Sequence, residues 1–291
     1  MKNKPLISVI MPVYNCEEFL KNSVSAVLSQ SYLNIELIVV NDGSTDRSDD
    51  ILKQFVNKIR YITTTNKGVS HARNIGIEQS TGDWIAFCDA DDEWFNDKIE
   101  RQISAIGDSY WSYTDSYYVG LYYKHGTKRS DLSKLYDGLI FDELCFENLI
   151  TTSSVLIKKS VLKEFGKFNE NSKALEDWEL WLKIARKYPI KLVDKPLLNY
   201  RVYPGSASRD ARMMLPLHLD LIENVFFEKN RLKAKNKSLV KANLICSYIA
   251  EQGKDYKFAL YCIVNAIKLT PLSLTLYKRF ISIIWNWFAK R

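Results

Sequence analysis

Trp84-Ile-Ala-Phe-Cys-Asp-Ala-Asp-Asp92 is the most informative stretch of the sequence, because an apolar run leads directly into three carboxylates within four positions. Like charges at that spacing repel and raise one another's pKa unless a cation compensates. Oxygen-rich clusters of this kind suit Mg²⁺ or Mn²⁺, which keep several waters and also bind phosphates. The alternative is a solvated acidic turn that caps the next helix. The motif alone weights the two interpretations equally.

Nearly continuous apolar runs and stretches with helical spacing of apolar residues alternate through the first hundred residues. Nearly continuous apolar runs predict strands at residues 6–12, 35–41, 59–64 and 84–88. Such runs are typical of parallel strands that are covered on both faces. Helical spacing predicts helices between them at residues 17–30, 47–55 and 69–79. This alternation predicts βαβ crossovers, and therefore an α/β fold with a mostly parallel sheet flanked by helices.

Polar or turn-forming residues follow each of these four strands. They are Tyr14 and Asn15, directly after Pro12 and Val13; Asp42 and Gly43; Asn66, Lys67 and Gly68; and Asp89, Asp91 and Asp92. In an open α/β sheet, ligands bind beyond the carboxyl ends of the strands. We therefore expect the four loops to converge on one site.

The regular alternation of strands and helices is less clear after residue 108. Extended stretches predict strands at residues 110–121, 151–157 and 190–203, and helical spacing predicts helices at residues 159–165 and 175–187. From residue 213 onward the sequence is helical and basic. We therefore expect an α/β domain over residues 1–210 and a helical, basic region over residues 211–291.

Cysteine usage and charge narrow the class of protein. The five cysteines are scattered and form no CxxC pair, which argues against a zinc site or a disulfide framework. Together with the lack of a signal peptide and of an apolar run near ~20 residues, this predicts a cytoplasmic protein. Residues 226–291 carry 13 Lys/Arg and 3 Asp/Glu, although the whole chain is only +7. This predicts an anionic partner, with a solvated charged face as the alternative.

Five segments occur in order along the chain. They are Ser8-Val-Ile-Met-Pro-Val-Tyr-Asn15, Val40-Asn-Asp-Gly-Ser-Thr-Asp46, Asn66-Lys-Gly-Val-Ser-His-Ala-Arg-Asn74, the opening stretch preceded by Gly82-Asp83, and Glu176-Asp-Trp178. The series closely resembles the family 2 inverting glycosyltransferases of the bacterial surface-polysaccharide type, whose nucleotide-sugar-binding domain has the GT-A fold. The resemblance covers roughly residues 5–205. It implies a Rossmann-like GT-A catalytic domain followed by a helical C-terminal extension.

The resemblance implies roles for the first three loops. Residues 12–15 and Asp42 would hold the nucleotide base and ribose, with the Asp42 carboxylate accepting from the pyrimidine N–H. The alternative for Asp42 is a turn residue before Gly43. Arg73 would reach the diphosphate, since its forked donors suit phosphate oxygens, and the alternative is a surface arginine.

The acidic loop (residues 89–92) matches the family's DxD motif. The resemblance implies that Asp91 ligates a divalent metal on the diphosphate, that Asp89 contacts the ribose or supports the metal, and that Ala90 lies in the nucleotide-sugar pocket. Asp92 is either a second ligand or the start of the next helix. The metal is expected to be Mn²⁺ or Mg²⁺, because the sequence offers no sulfur or multi-histidine cluster.

Glu176 and Asp177 open a predicted amphipathic helix and form the second catalytic element. In resembling enzymes the aspartate of this pair is the general base that deprotonates the acceptor hydroxyl. A helix N-terminus keeps such a carboxylate charged. The alternative is an acidic first-turn residue that only favours the helix end.

One position departs from the family pattern. A histidine that helps to hold the metal or diphosphate often precedes the late Pro-Gly, but Tyr203 stands there in this chain. Tyrosine is a poor Mg²⁺ ligand at neutral pH. His218 is a distant substitute, although a lone histidine in an apolar helical stretch more often packs inside the protein.

The last predicted helix, residues 272–288, combines large apolar side chains with Lys278, Arg279, Lys290 and Arg291. Basic, aromatic, amphipathic helices of this kind often lie at a membrane interface. The competing interpretation is a helix that packs on the protein or on a second subunit. Nucleic acid is not expected as a partner, because no nucleic-acid-binding motif is present.

Together, the resemblance implies a metal-dependent inverting glycosyltransferase that moves a hexose or N-acetylhexosamine from a UDP-sugar to a glycan or lipid-diphosphate-linked acceptor. The expected setting is bacterial lipopolysaccharide, O-antigen or capsule synthesis, in the cytoplasm or on the cytoplasmic face of the inner membrane. Two alternatives are a nucleotidyltransferase, which would not need Asp177, and a membrane-associated protein that binds a sugar nucleotide without turnover.

Overall fold

The computed structural model describes residues 4–226 and 232–289. The chain divides into two compact units. The first comprises Met1–Phe141 with Leu149–Arg201, and the second comprises Asp142–Asn148 with Val202–Arg291. Except for Val202, the sheet belongs to the first unit, and most of the described residues of the second unit are helical.

Strands and helices follow one another along the chain as the sequence predicts for its first half. The strands are β1 (Ile7–Val13), β2 (Ile35–Asn41), β3 (Arg60–Thr63), β4 (Trp84–Phe87), β5 (Glu93–Trp94), β6 (Trp111–Gly120), β7 (Leu156–Lys158) and β8 (Lys191–Val202). The helices are α1 (Leu20–Leu28), α2 (Ser48–Lys53), α3 (Val69–Gln79), α4 (Lys98–Ala105), α5 (Arg129–Leu132), α6 (Phe141–Leu144), α7 (Lys159–Phe165), α8 (Glu176–Ala185), α9 (Ala211–Val225), α10 (Leu232–Gln252), α11 (Tyr256–Leu269) and α12 (Leu274–Ala289).

The sheet has the strand order β3-β2-β1-β4-β7-β6-β8-β5. Strands β3, β2, β1 and β4 are parallel, which confirms the α/β architecture with βαβ crossovers. Beyond β4 the sheet is mixed, because β7 pairs antiparallel with β4 and with β6, and β5 pairs antiparallel with β8. Antiparallel strands at the edge of a parallel sheet are common in α/β proteins.

The predicted strand at residues 151–157 is wrong in its first half. Thr152–Ser154 forms a 3-10 turn, and the strand begins only at Leu156. Ser154 closes the turn, since both its backbone N–H (2.8 Å) and its hydroxyl (2.6 Å) donate to the Thr151 carbonyl. Ser and Thr side chains offer the backbone such local partners and so compete with strand pairing.

β1 lies at the centre of the parallel strands, and all of its residues are buried. Its pairing with β4 ends where Ile10 lies opposite Phe87. Pro12 has no backbone N–H and lies beyond that point, so it leaves no ladder hydrogen bond unmade on the β4 side. The connections from β1 lead first to β2 and β3 on one side and then to β4 on the other. The crevice between the ends of β1 and β4 is therefore the topological switch point of the sheet.

Helix α3 packs unusually close to β1. A Cβ at Gly76 would come within 2.4 Å of Ile10 Cγ2, so only glycine allows this approach. Arg73 lies one turn earlier on the same helix and is buried. The close packing therefore places Arg73 beneath the carboxyl ends of the parallel strands.

The second unit is built from α9, α10, α11 and α12, with α10 packed against α9 and α11, and α12 against α11. Small and apolar side chains such as Ala259, Cys262, Ile263 and Ala266 fill the buried face of α11. None of the helices in the described ranges is both long and apolar enough to cross a membrane.

Candidate active site

The loops after β1 and β2 are joined through Asn15. Its Oδ1 accepts from the backbone N–H of Thr45 (2.7 Å), while its own backbone N–H donates to Ser44 Oγ (3.1 Å). Asn15 adopts a left-handed conformation with φ of 48°, which asparagine tolerates better than most residues. Tyr14 beside it is half exposed. Residues 12–15 are thus held against the second loop, as expected for one site.

The loops after β2 and β3 are joined through Asp42. Its buried carboxylate accepts from the backbone N–H groups of Lys67 (3.1 Å) and Gly68 (2.7 Å). Gly68 has a φ of 97° and Gly43 a φ of 74°, a region that favours glycine. A carboxylate has about four acceptor positions, so Asp42 keeps capacity for a further donor. Asn66 and Lys67 are exposed beside it.

The acidic loop after β4 is fixed by its neighbours. Ser23 Oγ of α1 donates to the Ala90 carbonyl (2.8 Å). From β8, the backbone N–H of Arg201 donates to Asp92 Oδ1 (2.9 Å) and its Nε donates to the Asp91 carbonyl (3.0 Å). Asp92 is only 1% exposed, so the alternative of a solvated acidic turn does not hold.

Burial and mutual repulsion raise the pKa of two carboxyl groups in this loop. Burial, followed by the charge of Asp89, raises the pKa of Asp91 to about 6. Burial, followed by the charge of Asp91, raises the pKa of Asp92 well above its usual value. Such shifts mark a place where positive charge would be stabilised, because a nearby cation favours the ionised carboxylates.

Arg73 connects the acidic loop to the helix that carries Asp177. Its Nη2 lies 2.7 Å from Asp89 Oδ1 and its Nη1 lies 2.6 Å from Glu176 Oε1. Burial alone would lower the pKa of Arg73, but the charges of Asp89 and Glu176 raise it, so the guanidinium remains charged. The alternative of a surface arginine does not hold, because the side chain is only 5% exposed.

Asp177 lies in the first turn of α8 and is half-buried. Thr152 Oγ1 donates to its Oδ2 (2.7 Å), and the backbone N–H of Trp178 donates to its Oδ1 (2.6 Å). Burial, followed by the charge of Glu176, raises the pKa of Asp177 to about 6, although the Thr152 hydrogen bond opposes the shift. A carboxylate of this kind is ionised at neutral pH and is more basic than an exposed aspartate.

Aromatic packing holds α8 against the sheet. Trp181 lies 6.2 Å from Phe87 of β4, 6.0 Å from Phe168 and 5.9 Å from Trp111 of β6 between ring centroids. The residue before the helix, Leu175, has a φ of 64°, which is rare for a branched apolar side chain. This backbone strain lies next to Glu176 and Asp177, where it helps to set the direction of the first turn.

Sequence reasoning missed four residues that organise these groups. Thr152 binds Asp177, and Ser153 Oγ accepts from the backbone N–H of Asp89 (2.9 Å), so one short turn contacts both acidic elements. Asn74 holds the loop before α8, donating to the Phe168 carbonyl (2.9 Å) and to Glu170. Arg201 is the fourth. The run of hydroxyl residues before β7 was the one available signal for Thr152 and Ser153.

The acidic loop offers oxygen ligands only. No cluster of three or more His, Cys, Asp or Glu side chains able to hold a metal by itself occurs in residues 4–226 or 232–289. Asp91 and the buried Asp92 Oδ2, which accepts no hydrogen bond, are the available donors beside Asp89. Mg²⁺ commonly takes one or two protein carboxylates and completes its shell with phosphate oxygens and water. These residues therefore fit a divalent ion that binds together with a diphosphate.

The two residues weighed as further metal ligands lie in the second unit. The backbone N–H of Tyr203 donates to Ser206 Oγ (3.1 Å). His218 is buried in α9, where its Nδ1 donates to the Met214 carbonyl (2.8 Å), and burial lowers the pKa of its imidazole. His218 therefore packs as a neutral helix residue.

Known proteins share this architecture. The S. aureus TarS fragment in complex with UDP-GlcNAc has a TM-score of 0.61 at 19% identity, and the alignment covers 97% of this chain and 89% of that one. The mannosyltransferase PcManGT from Pyrobaculum calidifontis, in complex with GDP-Man and Mn²⁺, has a TM-score of 0.65 at 16% identity, covering 100% and 89%. These similarities confirm the predicted GT-A-like α/β fold with a helical C-terminal region.

Sequence relatives point to the same family. An uncharacterised glycosyltransferase of Rickettsia typhi is 32% identical over 71% of this chain and 67% of that protein. The putative teichuronic acid biosynthesis glycosyltransferase TuaG of Bacillus subtilis is 30% identical over 70% and 82%. An uncharacterised glycosyltransferase of Haemophilus influenzae is 49% identical over 35% of this chain, and the match spans only 42% of that relative. Residues 8–166 match the model of glycosyl transferase family 2. The chain belongs to glycosyl transferase family 2.

Proposed function

We propose that this chain transfers a hexose or N-acetylhexosamine from a UDP-sugar to a hydroxyl of a glycan or lipid-linked glycan, with inversion at the anomeric carbon. The observation that carries the proposal is the network in which Arg73 joins Asp89 to Glu176. It ties the loop suited to a diphosphate to the helix that presents Asp177. We assign catalysis to residues 1–210 and treat residues 211–291 as an appended module.

Asp177 acts as the general base in this proposal. It is ionised above about pH 6 and removes the proton of the acceptor hydroxyl as the oxygen attacks the anomeric carbon. The new glycosidic bond forms on the face opposite the bond to UDP, which breaks and releases UDP. A β-linkage therefore results from an α-linked donor. Glu176 is a positioning residue, because its carboxylate binds Arg73.

The nucleotide lies over the three joined loops in this proposal. Residues 12–15 and 66–68 with Gly43 surround the base and ribose, and Asp42 uses its remaining acceptor capacity for the pyrimidine N–H. The TarS complexes with UDP and UDP-GlcNAc support a uridine donor, although PcManGT binds GDP-Man with the same fold. Ala90 lies at the same edge, since its carbonyl is held by Ser23.

Asp91 and Asp89 would hold a Mn²⁺ or Mg²⁺ ion there, together with the diphosphate of the nucleotide. When bound, the ion supplies Lewis-acid neutralisation of the charge that develops on the leaving diphosphate. Asp89 has a second partner in Arg73, so its negative charge is already balanced in part. The manganese complex of PcManGT supports this assignment.

The acceptor is proposed from the relatives. TuaG is named for teichuronic acid biosynthesis, which favours a bacterial cell-surface glycan. Lipopolysaccharide core, O-antigen and capsule are the candidate products, made on the cytoplasmic side of the membrane.

The test is a panel of UDP-sugars assayed for Mn²⁺-dependent UDP release, with and without lipid-diphosphate-linked acceptors. We expect release with at least one donor, and we expect Asp177→Asn to reduce transfer about 10³-fold with little change in UDP affinity. Full transfer activity of Asp177→Asn would contradict the assignment of Asp177 as the general base. Absence of release with every donor and acceptor would overturn the proposal.

A further inference from the structure

Helix α12 has two apolar faces. One face packs inside the second unit, where Leu276 and Ile283 are almost completely buried. A helix that is apolar on one side is satisfied by this packing. The opposite side of α12 is also apolar, and burial within the unit does not account for it.

Specific contacts fix the rotation of α12 about its axis. Arg279 pairs with Glu251 of α10 and lies 3.7 Å over the Tyr248 ring, and Asn286 Nδ2 donates to Glu251 Oε1 (2.9 Å). Trp287 stacks on Tyr256 at 6.3 Å between centroids. Arg279 is therefore buried in an ion pair and does not add to the basic surface of the helix. Lys290 and Arg291 lie outside the described residues.

The outward face forms what we call the α12 stripe. It consists of Leu274, Tyr277, Ile281, Trp285 and Phe288, which are 42–76% exposed. At 100° per residue all five positions fall within an arc of roughly 80°, and they extend along about 21 Å of helix. Large apolar side chains gathered in this way mark an interaction surface rather than scattered surface residues.

Charge identifies the kind of partner. Residues 256–289 contain four Lys/Arg and no Asp or Glu. Lys278 borders the α12 stripe and is exposed, and on α11 the exposed Tyr261 and Val264 lie between the exposed Lys257 and Lys268. Both helices therefore present apolar side chains flanked by lysines. An apolar interior covered by a negatively charged surface would complement this arrangement.

We infer that the α12 stripe docks on an anionic lipid bilayer, with its aromatic and aliphatic side chains in the headgroup region and the lysines beside lipid phosphates. Tyr and Trp favour that region, and lysines add attraction to anionic lipids. A second copy of the chain fits less well. A symmetric contact would bring two lysine-bearing helices together without any carboxylate from residues 256–289 to neutralise them.

The test is cosedimentation of the full chain with phosphatidylcholine vesicles that either contain or lack phosphatidylglycerol. We expect binding that requires phosphatidylglycerol and that weakens with added salt. The double variant Ile281→Ser/Trp285→Ser should lower vesicle partitioning at least about tenfold, because both side chains leave water on docking. The matched control is Leu33→Ser/Leu121→Ser, which removes two even more exposed apolar side chains from the first unit and should bind as the original chain does.

A second variant keeps the test independent of folding and of catalysis. Lys268→Glu/Lys278→Glu leaves the apolar face intact and should abolish the preference for phosphatidylglycerol, while circular dichroism and UDP release from a soluble donor stay unchanged. Failure of the original chain to bind vesicles, or equal binding by the Ile281→Ser/Trp285→Ser variant, would overturn the inference. So would a dimer that this variant dissociates in the absence of any vesicle binding.

Discussion

At the scale of single residues, Arg73 holds the candidate site together through charge. A buried guanidinium is stable only if carboxylates compensate it, and Asp89 and Glu176 do so from two different parts of the chain. Its Nε is buried without a hydrogen-bond partner, so hydrogen bonds do not satisfy the whole guanidinium and its charge is balanced by the two carboxylates. Lysine cannot reproduce this arrangement, because one ammonium lacks the two diverging nitrogens that reach both carboxylates.

We expect Arg73→Lys to keep the charge but to reduce kcat/KM at least about tenfold, since Asp89 or Glu176 loses its direct partner. Arg73→Met should in addition lower the free energy of unfolding by about 3–5 kcal/mol, because it leaves two carboxylates uncompensated. Kinetics and urea denaturation measure the two effects. Arg60→Lys, on an exposed arginine, is the matched control. Unchanged activity in Arg73→Lys would contradict the positioning role.

The pKa of Asp177 predicts the acid limb of the activity profile. The base must be ionised, so kcat/KM should fall as pH drops below about 6. Thr152→Val removes a hydroxyl that stabilises the ionised form, and the pKa of Asp177 should therefore rise. We expect the midpoint of the acid limb to move to higher pH in this variant.

The comparison is a pH–rate profile of the original chain, Thr152→Val and Thr151→Val. The third protein removes a neighbouring hydroxyl from the same turn and should keep the original midpoint. An acid limb that is unchanged in Thr152→Val, or that shifts equally in both variants, would argue against Asp177 as the titrating base.

At the scale of elements, α4 contains a lysine in an unusual place. Lys98 is fully buried, with Nζ 3.9 Å over the Trp94 ring and 2.8 Å from Gln102 Oε1. Burial lowers the pKa of Lys98 to about 7. Between about pH 7 and 10 the unfolded chain therefore binds a proton at this residue that the folded chain does not.

We expect the free energy of unfolding to rise with pH across that window, with Lys98 contributing up to about 1.4 kcal/mol per pH unit. Lys98→Met should lack this contribution and should be about 1–4 kcal/mol more stable at pH 7. Urea denaturation of both proteins across the window measures the difference. Lys163→Met, on an exposed lysine of α7, should keep the pH dependence of the original chain. Equal slopes in Lys98→Met and the original chain would contradict the assignment.

Elements whose structure depends on the local sequence pattern could be predicted from the sequence. Elements whose structure depends on contacts with distant residues could not. Three of the four parallel strands, β1, β2 and β4, were predictable because they are covered on both faces of the sheet and therefore leave continuous apolar runs, whereas no residue of β3 is buried. The turn at Thr152–Ser154 was not predictable, since its β-branched and hydroxyl residues resemble a strand. The burial of Lys98 could not be predicted either, because a lysine in an amphipathic helix is normally expected on the exposed face.

The candidate site was also predictable only where local sequence pattern determines it. Convergence of the strand-end loops could be predicted, since parallel strands bring their carboxyl ends to one edge. The partners of Arg73 could not, because Glu176 lies 103 positions away and only the packing of α3 on β1 brings the two together. The aromatic contacts of Trp181 that orient α8 likewise depend on residues from three other segments of the chain.

At the scale of the whole molecule, binding and stability are linked. A ligand that binds only the folded chain stabilises it, by about 2.7 kcal/mol when its concentration is 100 times its dissociation constant. Burial, followed by repulsion among Asp89, Asp91 and Asp92 that Arg73 relieves only in part, raises the pKa of Asp91 and of Asp92. A divalent ion with a nucleoside diphosphate would relieve that repulsion, whereas the nucleotide alone would add negative charge to it.

We therefore expect UDP and Mn²⁺ together to raise Tm by roughly 5–10 °C near saturation, and to raise it more than the sum of their separate effects. Differential scanning fluorimetry with each ligand alone and with both measures this coupling. Asp91→Asn should remove the coupling while leaving the small effect of UDP alone. Asp108→Asn, on an exposed aspartate away from the four loops, should preserve it. Additive shifts in the original chain would contradict joint binding of UDP and Mn²⁺, and coupling that survives in Asp91→Asn would show that the metal does not depend on Asp91.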